Sequence, residues 1–593
     1  MALMQILNQI TAAIGKKDLK TARRLLSSQE KAYGNNPHFL WQKGIYELSS
    51  GSDKRKIVLP LLERAHIGGL RDINFLRTYG ALLLEFGYDA AACTVFGEVV
   101  QIKQDDIEAF IILASIFSKT GNPVTTINTL KLAAKINPTH PSIPMIYCSI
   151  ASTLMICGYQ EESITAYKKA FELDSENSCF VQEYLFQLNY VNISREEYFS
   201  LCKKYRTFWE NNVLSERPLF PQTEKIKIGF VSRDYCSHVV SFFIRSLFEN
   251  YDKNKFEIHL FSTLKRESYD SVTELFMRQT DKWHDISKTG YQDAANLIIK
   301  ENISVLIDLL GHTNNNAALK IFGFRPAPVQ VSYCGFPNTT GLKSIDYRIT
   351  DKICEPEDAQ NYHSEKLYKI DDCFLCYQPN FEEIPECSFE NIQDRPIVFG
   401  SFNNLSKITA KTIKLWCDVI NAVPKSKIVL KYKYLTDPKL KEITVGRFAK
   451  NGLSADRIII FEFNNENKNH FAQYNKIDIA LDTFPYNGTT TTCDALYMGV
   501  PVISILGDRH VSRVSASLLN TVGLGELVAK DEKEFVEIAA DLAGNTQRLT
   551  EIKRNLRERM QNSPLMDKKS FTHKWQNAIL DMIKEVKSEG KTS

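Results

Sequence analysis

The pattern of apolar and polar positions changes once along the chain, after Pro218 and Pro221. Before that point the chain repeats itself in helix–turn–helix units. Beyond it, short apolar runs alternate with helical stretches, as in proteins that wrap helices around parallel sheets. The two patterns predict a helical array followed by an α/β region.

The first part is marked by glycines that recur at intervals of 34 to 37 residues: Gly15, Gly51, Gly87, Gly121 and Gly158. Seven residues before the last four stands a small residue: Gly44, Gly80, Ala114 and Ala151. The small residue allows two helices to approach closely, and the glycine closes the turn between them. A single unit cannot bury its apolar face, so the units stack into a superhelix. We predict a tetratricopeptide-like array over residues 1–205 that binds peptides or proteins on its concave face; a spacer, or a homo-oligomer formed through the repeats, is the alternative.

The second part contains two series of apolar runs that are typical of buried parallel strands. The first series consists of KIGFVS, FEIHLFS, SVLIDLL and VQVSYC. The second consists of IVFGSF, KIVLK, RIIIFEF, IDIALDTF and VPVISIL. They predict two Rossmann-like lobes, residues 222–385 and 395–585, joined by a polar, proline-containing hinge at about residues 378–394. Functional residues are expected just after the strands, because ligands of open α/β sheets bind beyond the carboxyl ends.

The densest group of candidate residues follows the strand IDIALDTF, in the segment DTFPYNGTTTTCD. Gly488 permits a tight turn, and Thr489, Thr490 and Thr491 supply hydroxyl and backbone N–H groups at a helix N-terminus. This arrangement predicts a seat for a pyrophosphate without a P-loop lysine, with simple capping of the helix as the alternative. Asp494, in the first turn, is placed to accept a hydrogen bond from a sugar hydroxyl.

Other candidates also follow strands. Lys407 offers a mobile positive charge for a phosphate, and Asn404 offers a paired donor and acceptor. His238 is a candidate general base, because its ordinary pKa lies near neutrality. His312 likewise follows a strand and is a candidate donor-binding residue; for either histidine a purely structural role is the alternative.

Composition, charge and the absence of certain motifs exclude several classes of protein. With 593 residues, 44% hydrophobic residues and a net charge of +3, the chain is neither disordered nor a nucleic-acid coat protein. It has no apolar run long enough to span a membrane and no leader-like N-terminus, so we expect a cytoplasmic protein. Neither an Asp-x-Asp triplet nor a nucleotide-binding GxxxxGK[ST] or GxGxxG motif occurs, so we expect no metal and no cofactor. Cys373 and Cys376 have CxxC spacing, which we interpret as structural, with metal binding or redox chemistry as alternatives.

Five segments carry a family resemblance: IGFVSRDYCSH, IDLLGHT, FRPAPVQVSYCGFPNTTGLKSIDYRITD, FGSFNNLSKIT and LDTFPYNGTTTTCDALYMGVP. They resemble the O-linked N-acetylglucosamine transferase family, which includes the SPINDLY-type protein O-fucosyltransferases and many bacterial members. The resemblance covers about residues 222–585 and implies an inverting, metal-independent glycosyltransferase of the GT-B fold, preceded by helical repeats.

The resemblance also implies roles for individual residues. His238 matches a histidine discussed as base or donor-site residue, Lys407 a lysine that contacts the diphosphate, and Asn404 a neighbouring amide. His470 matches a histidine near the nucleotide base. Thr490 and Thr491 match two phosphate-binding threonines, and Asp494 matches a ribose-binding acid. Thr489 stands at a donor-binding position where the animal enzymes have a histidine.

These observations predict transfer of N-acetylglucosamine from UDP-N-acetylglucosamine to Ser or Thr of protein acceptors. His238 and Lys407 are the predicted catalytic residues. GDP-fucose is the rival donor, because TTTTC and FGSFNNLSKIT are particularly similar to SPINDLY-type and bacterial sequences. Glucose or another bacterial sugar is a further alternative, and so is a non-catalytic scaffold that binds peptides.

Overall fold

The computed structural model describes residues 2–210, 217–313, 318–379, 384–388, 392, 395–463 and 467–589. The chain divides into two compact units, Met1–Thr153 and Leu154–Ser593. Within the described ranges, no helix combines the length and the apolar character needed to cross a membrane.

The first unit consists of α-helices in which consecutive members pack as pairs. The helices are α1 (Ala2–Gly15), α2 (Leu19–Tyr33), α3 (Pro37–Ser49), α4 (Leu59–Ile67), α5 (Ile73–Glu85), α6 (Asp89–Ile102), α7 (Ile107–Lys119), α8 (Pro123–Ile136) and α9 (Ile143–Ile156), whose last residues belong to the second unit. The predicted glycine turns are present at Gly51, Gly87 and Gly121, each with a φ of 78° or 79°. At the first turn the left-handed residue is Lys17 (φ 60°), so Gly15 does not take that role.

The small residues predicted at helix–helix contacts are in place. A Cβ atom at Gly80 in α5 would lie 2.6 Å from the buried ring of Phe96 in α6, and one at Gly44 would lie 2.6 Å from Leu62. Ala114 and Ala151 are fully buried. Close packing of paired helices therefore depends on these positions.

Gly80→Ala and Gly97→Ala should have different effects on the stability of the first unit. Both positions are helical, but a Cβ at Gly97 has no neighbour within 4 Å. Each alanine gains about 1 kcal/mol of helix propensity, and only the one at position 80 overpacks against Phe96, at a cost of about 1–3 kcal/mol. Urea unfolding should show Gly80→Ala less stable than Gly97→Ala by that difference; equal stabilities would contradict the packing argument.

The second unit begins with four short helices: α10 (Gln160–Leu173), α11 (Ser178–Gln187), α12 (Arg195–Tyr205) and α13 (Thr207–Glu210). They are attached to the α/β region by buried polar contacts. Gln160 donates to the carbonyl groups of residues 405, 406 and 408, and Arg509 donates to those of Leu188 and Val191. The compact division therefore falls earlier in the chain than residue 205, where the sequence pattern places the end of the array.

The first lobe, as far as the structure describes it, has a parallel sheet in the order β3-β2-β1-β4-β5-β6-β7. Its strands are β1 (Ile226–Ser232), β2 (Phe256–Ser262), β3 (Lys282–Asp285), β4 (Val305–Asp308), β5 (Val329–Ser332), β6 (Tyr347–Asp351) and β7 (Lys366–Ile370). Its helices are α14 (Ser241–Asn250), α15 (Ser271–Gln279), α16 (Tyr291–Lys300) and α17 (Ala318–Gly323). The central strands β4, β5 and β6 are buried along their whole length, as the apolar runs predict for β4 and β5.

The second lobe repeats this plan, with a parallel sheet in the order β10-β9-β8-β11-β12-β13 over its described residues. Its strands are β8 (Val398–Ser401), β9 (Lys427–Lys431), β10 (Ile458–Phe461), β11 (Ile479–Leu481), β12 (Val502–Ile505) and β13 (Val528–Ala529). Its helices are α18 (Ala410–Ala422), α19 (Pro438–Lys450), α20 (Asn467–Tyr474), α21 (Thr490–Tyr497), α22 (Val514–Thr521), α23 (Glu532–Gly544) and α24 (Thr546–Gln561). The predicted fold class, helical repeats followed by two Rossmann-like lobes, is confirmed.

The last helix, α25 (Lys568–Glu589), returns to the first lobe. The Trp575 ring stacks on Phe230 of β1 with centroids 5.7 Å apart, and the Thr572 hydroxyl donates to the carbonyl of Ser246. The sequence pattern assigns residues up to 585 to the second lobe, whereas this helix is packed on the first. It therefore fastens the two lobes to each other.

Candidate functional site

The loop between β11 and α21 is organised by a buried carboxylate. Asp482 accepts hydrogen bonds from the backbone N–H groups of Thr483 (2.8 Å) and Gly488 (2.7 Å) and from the Ser504 hydroxyl (2.6 Å). Burial raises the pKa of Asp482, and these hydrogen bonds oppose the rise. A Cβ at Gly488 would lie 2.6 Å from the Thr491 hydroxyl, so the turn has no space for a side chain.

Helix α21 begins directly after this loop and presents its N-terminus there. Backbone N–H groups of a first helical turn have no acceptor within the helix, and the helix dipole favours an anion beside them. Thr489 and Thr490 are half-buried, and the Thr491 hydroxyl donates to the Asn403 side chain (2.9 Å). The helix end thus has the donors that the sequence predicts for a phosphate group.

Lys407 lies against the same loop. Its ammonium donates to the carbonyl oxygen of Asn487 (2.8 Å) and lies 4.2 Å from the centroid of the Tyr486 ring. The Tyr486 ring in turn packs on Tyr190, with centroids 4.7 Å apart. Burial lowers the pKa of Lys407 to about 8, against the attraction of Asp482. Lys407 is therefore hydrogen-bonded to the residue that precedes Gly488, in the loop that leads into α21.

Asn404, one of the predicted donor-site residues, begins the short helical turn that carries Lys407. Its backbone carbonyl accepts from the Lys407 N–H (2.9 Å), and its side chain is exposed. The side-chain amide of Gln160 donates to the carbonyl groups of Leu405 and Ser406 and so fixes the turn. The side-chain amide of Asn404 is thus available to a ligand, while the backbone position is fixed.

Asp494 and His470, both predicted from the sequence, belong to one polar chain. The Tyr377 hydroxyl donates to Asp494 (2.7 Å), and His470 Nε2 lies 3.2 Å from the other carboxylate oxygen. His470 Nδ1 lies 2.9 Å from the Lys431 ammonium. Burial lowers the pKa of Lys431 to about 8, an effect that Asp494 opposes. The chain orders an acid and a histidine close to the start of α21.

The predicted histidines of the first lobe differ in their surroundings. His238 follows β1, its side chain is 43% exposed, and its Nδ1 lies 3.4 Å from a carboxylate oxygen of Asp234. Burial raises the pKa of Asp234, and His238 counteracts that rise. A solvent-accessible imidazole beside a carboxylate is suited to act as a general base.

His312 is instead fully buried. Its Nε2 lies 2.8 Å from the carbonyl oxygen of Thr340, and the rings of Trp209 and Phe336 pack edge-on against it. Burial lowers its pKa to about 4, so the ring is neutral near pH 7. In this structure His312 is a packed core residue, and its predicted contact with a donor stays a prediction.

Several side chains that contact the predicted site residues escaped the sequence reasoning. Lys431 is the last residue of β9, where its position at the carboxyl end of a strand could have revealed it. Tyr377 lies close to the predicted hinge, and Tyr190 comes from the helices before the lobes. Their partners are distant in sequence, so no local pattern indicates them.

The CxxC pair is buried, and burial raises the pKa of Cys373 and of Cys376 to about 12. Thiols with such values are protonated at neutral pH and are poor nucleophiles. Among the described residues, the cluster suited to a metal ion contains neither cysteine. These observations agree with the structural interpretation of the pair.

Comparison with known proteins places these features in a family. The model of glycosyl transferase family 41 matches residues 195–380 and 386–575. A rice protein named as a probable UDP-N-acetylglucosamine–peptide N-acetylglucosaminyltransferase SPINDLY is 36% identical over 433 residues, covering 71% of this chain and 46% of the relative. The tomato protein of the same name is 37% identical over 417 residues, covering 68% of this chain and 44% of the relative. The chain thus spans less than half the length of these curated relatives.

A solved structure is similar over most of the chain. A lysine-to-methionine mutant of the Thermobaculum terrenum O-GlcNAc transferase superimposes with a TM-score of 0.77 at 26% identity. The match covers 87% of this chain and 98% of that chain. The two-lobed architecture described above is therefore shared with a glycosyltransferase of the GT-B type.

Proposed function

We propose, from the premise that this chain belongs to glycosyltransferase family 41, that it transfers a sugar from a nucleotide diphosphate to protein Ser or Thr hydroxyls. The observation that carries the proposal is the position of Lys407 beside the loop that opens into α21. A positive charge and a helix N-terminus at one point form a seat for a diphosphate. The relatives' names support a peptide acceptor and UDP-N-acetylglucosamine as donor.

In the mechanism that we propose, the acceptor oxygen attacks the anomeric carbon from the face opposite the diphosphate. The C–O bond to the diphosphate breaks, and negative charge grows on the distal phosphate. Lys407 and the N–H groups at the start of α21 stabilise that charge, so transfer is inverting and needs no metal. His238, oriented by Asp234, takes the proton of the acceptor hydroxyl.

The nucleotide and ribose would lie along the polar chain of the second lobe. Asp494 has the carboxylate for a ribose hydroxyl, and His470 lies next to it for the base. Thr489, Thr490, Thr491 and the exposed amide of Asn404 would contact the diphosphate. This assignment gives each predicted donor-site residue of the second lobe a part of the donor to bind.

The proposal is tested by incubating the full chain with a protein lysate and radiolabelled nucleotide sugars. We expect labelled protein bands with UDP-N-acetylglucosamine, sensitive to mutation of Lys407 and unaffected by added Mg²⁺ or Mn²⁺. Label from GDP-fucose instead would keep the transfer proposal and change the donor, as the SPINDLY-like segments allow. No protein label from any of the nucleotide sugars, with the chain folded, would contradict the transfer proposal and favour the scaffold.

Nucleotide binding should weaken as the pH rises through about 8. Below that value Lys407 is charged and can attract the diphosphate. Above it the lysine of the free protein is neutral and must take up a proton before it attracts the diphosphate, which weakens binding. The apparent affinity for UDP should fall by up to about tenfold per pH unit above pH 8. Tyr486, which faces the lysine, has a pKa raised far above this range by burial, so it does not titrate there.

Calorimetric titration of UDP between about pH 7 and 9.5 measures this dependence. In Lys407→Arg the charge persists through the whole range, so its affinity should be independent of pH. Because burial also lowers the pKa of Lys431 to about 8, Lys431→Arg serves as the second control. A pH dependence that disappears only in Lys431→Arg would contradict the assignment to Lys407.

A further inference from the structure

A second polar cluster in the first lobe consists of residues that have no part in the proposed transfer site. It joins His259 of β2, His284 of β3 and Glu301, the residue that follows α16. His259 lies in the middle of β2, His284 is the next-to-last residue of the edge strand β3, and Glu301 lies just before β4, whereas His238 follows the carboxyl end of β1. The proposed transfer mechanism does not use any of these three residues.

The protonation state of His259 is fixed by a carboxylate. Its Nε2 lies 2.7 Å from Glu257 Oε1, so this nitrogen carries the proton and donates it. Nδ1 then presents a lone pair on the opposite side of a fully buried ring. A carboxylate that orients an imidazole in this way is the usual outer partner of a metal-binding histidine.

The lone pair of His259 meets two further ligand atoms. His284 Nε2 lies 3.2 Å from His259 Nδ1, and Glu301 Oε2 lies 3.7 Å from it. All three ligand atoms lie within 4.8 Å of one another. Two ligands at about 2.0–2.1 Å from a tetrahedral zinc ion are about 3.3 Å apart, so the observed separations fit one ion.

The surroundings fix the orientation of His284, and the ligand atoms are of the kind that zinc prefers. The His284 ring stacks on Phe261, with centroids 4.6 Å apart and planes 9° apart, which holds its orientation. Neutral imidazole and carboxylate are ligands typical of zinc, whereas Mg²⁺ and Ca²⁺ prefer oxygen alone.

We propose that His259, His284 and Glu301 bind one Zn²⁺ ion that ties β2, the edge strand β3 and the end of α16 together. Lys282 donates to Glu301 (2.9 Å) in the present structure, and its side chain is 45% exposed. The ion takes the place of this ammonium on the carboxylate, and the lysine turns to solvent. Water completes the coordination. The role of the site is structural, because the ion joins three elements and the proposed transfer mechanism uses none of its ligands.

The test is zinc binding by the untagged full chain after dialysis against a chelator. Competition with a chromophoric chelator should give one Zn²⁺ per chain, and zinc should raise the midpoint of thermal unfolding. Co²⁺ should give the visible absorption of a tetrahedral site without a thiolate charge-transfer band, which excludes the cysteines. In Glu257→Gln, which leaves the three ligands in place, zinc affinity should fall about 10–100-fold.

Variants of the cluster separate this site from general surface binding. His284→Ala and the nearly isosteric Glu301→Gln should lose the tight site, whereas His573→Ala, at an exposed histidine of α25, should keep it. Lys282→Gln should bind zinc more tightly than wild type, and Lys300→Gln, beside the cluster, should not. Circular dichroism verifies folding; if His284→Ala is unfolded, Glu301→Gln decides. Equal zinc binding in wild type and Glu301→Gln, or none in wild type, would overturn the proposal.

Discussion

Lys407→Ala should reduce the turnover of sugar transfer about 10²–10³-fold, which corresponds to about 3–4 kcal/mol of transition-state stabilisation. The ammonium is held by the Asn487 carbonyl at the loop where the diphosphate is proposed to leave. Without it, the N-terminus of α21 is left to stabilise the growing charge. Single-turnover measurements with saturating donor isolate this step from binding and product release.

The same substitution should leave the fold intact. Burial lowers the pKa of Lys407 in the folded protein, so its charged form destabilises the fold below about pH 8, and alanine removes that cost. The midpoint of thermal unfolding at pH 7 should therefore not fall. Lys414→Ala, at an exposed lysine of α18 that pairs with Asp418, is the matched control and should transfer sugar normally. Near-normal turnover in Lys407→Ala would remove the lysine from the mechanism.

The sequence predicts those parts of the molecule that have a local signal. The apolar runs predict the first and last residues of β2 and β9 correctly, because a buried parallel strand is apolar along most of its length. The segment from Gly488 to Asp494 is recognisable because a glycine, a threonine run and a helix start follow one another directly. Lys407 is likewise found from its position just after a strand.

Other parts depend on contacts that no local pattern encodes. The strands β3, β6 and β7 escaped prediction because KWHD, YRITD and KLYKI each contain charged residues. In β6 the charges are buried: Arg348 donates to the carbonyl of Phe336, and Asp351 accepts from the Ser517 hydroxyl of α22. Strand β3 lies at the sheet edge, where polar residues are tolerated.

The candidate site shows the same division. Asp494 and Lys407 are found from motifs and His470 from the family resemblance, whereas Tyr377 becomes visible only when the chain is folded around Asp494. The placement of α25 on the first lobe is hidden as well, since an amphipathic helix does not specify which sheet it covers. Sequence reasoning thus finds the groups proposed to contact a ligand more readily than the groups that position them.

The second large effect is expected from such a positioning residue, Asp482. Its carboxylate satisfies the donors of Thr483, Gly488 and Ser504 inside the protein. Asp482→Ala leaves them without an acceptor, and each buried unsatisfied group costs about 1–3 kcal/mol. We therefore expect a loss of several kcal/mol of unfolding free energy in urea titrations, with Ser504→Ala, which removes one of the three bonds, losing about 1 kcal/mol.

Asp482→Asn separates the effect on function from the effect on folding. The amide oxygen can still accept from Thr483 and Gly488, and its NH₂ group can donate to the Ser504 hydroxyl, but the hydrogen bonds lose the negative charge that strengthens them, so the Gly488 turn is held more weakly. A displacement of about 1 Å at a reacting centre costs on the order of 10²-fold in rate. In the folded variant kcat should fall and UDP should bind more weakly, while the KM for the acceptor protein stays unchanged. A purely structural role would lower stability and leave both kcat and UDP affinity of the folded fraction at wild-type values, so these two measurements decide whether Asp482 sets the geometry of the diphosphate seat.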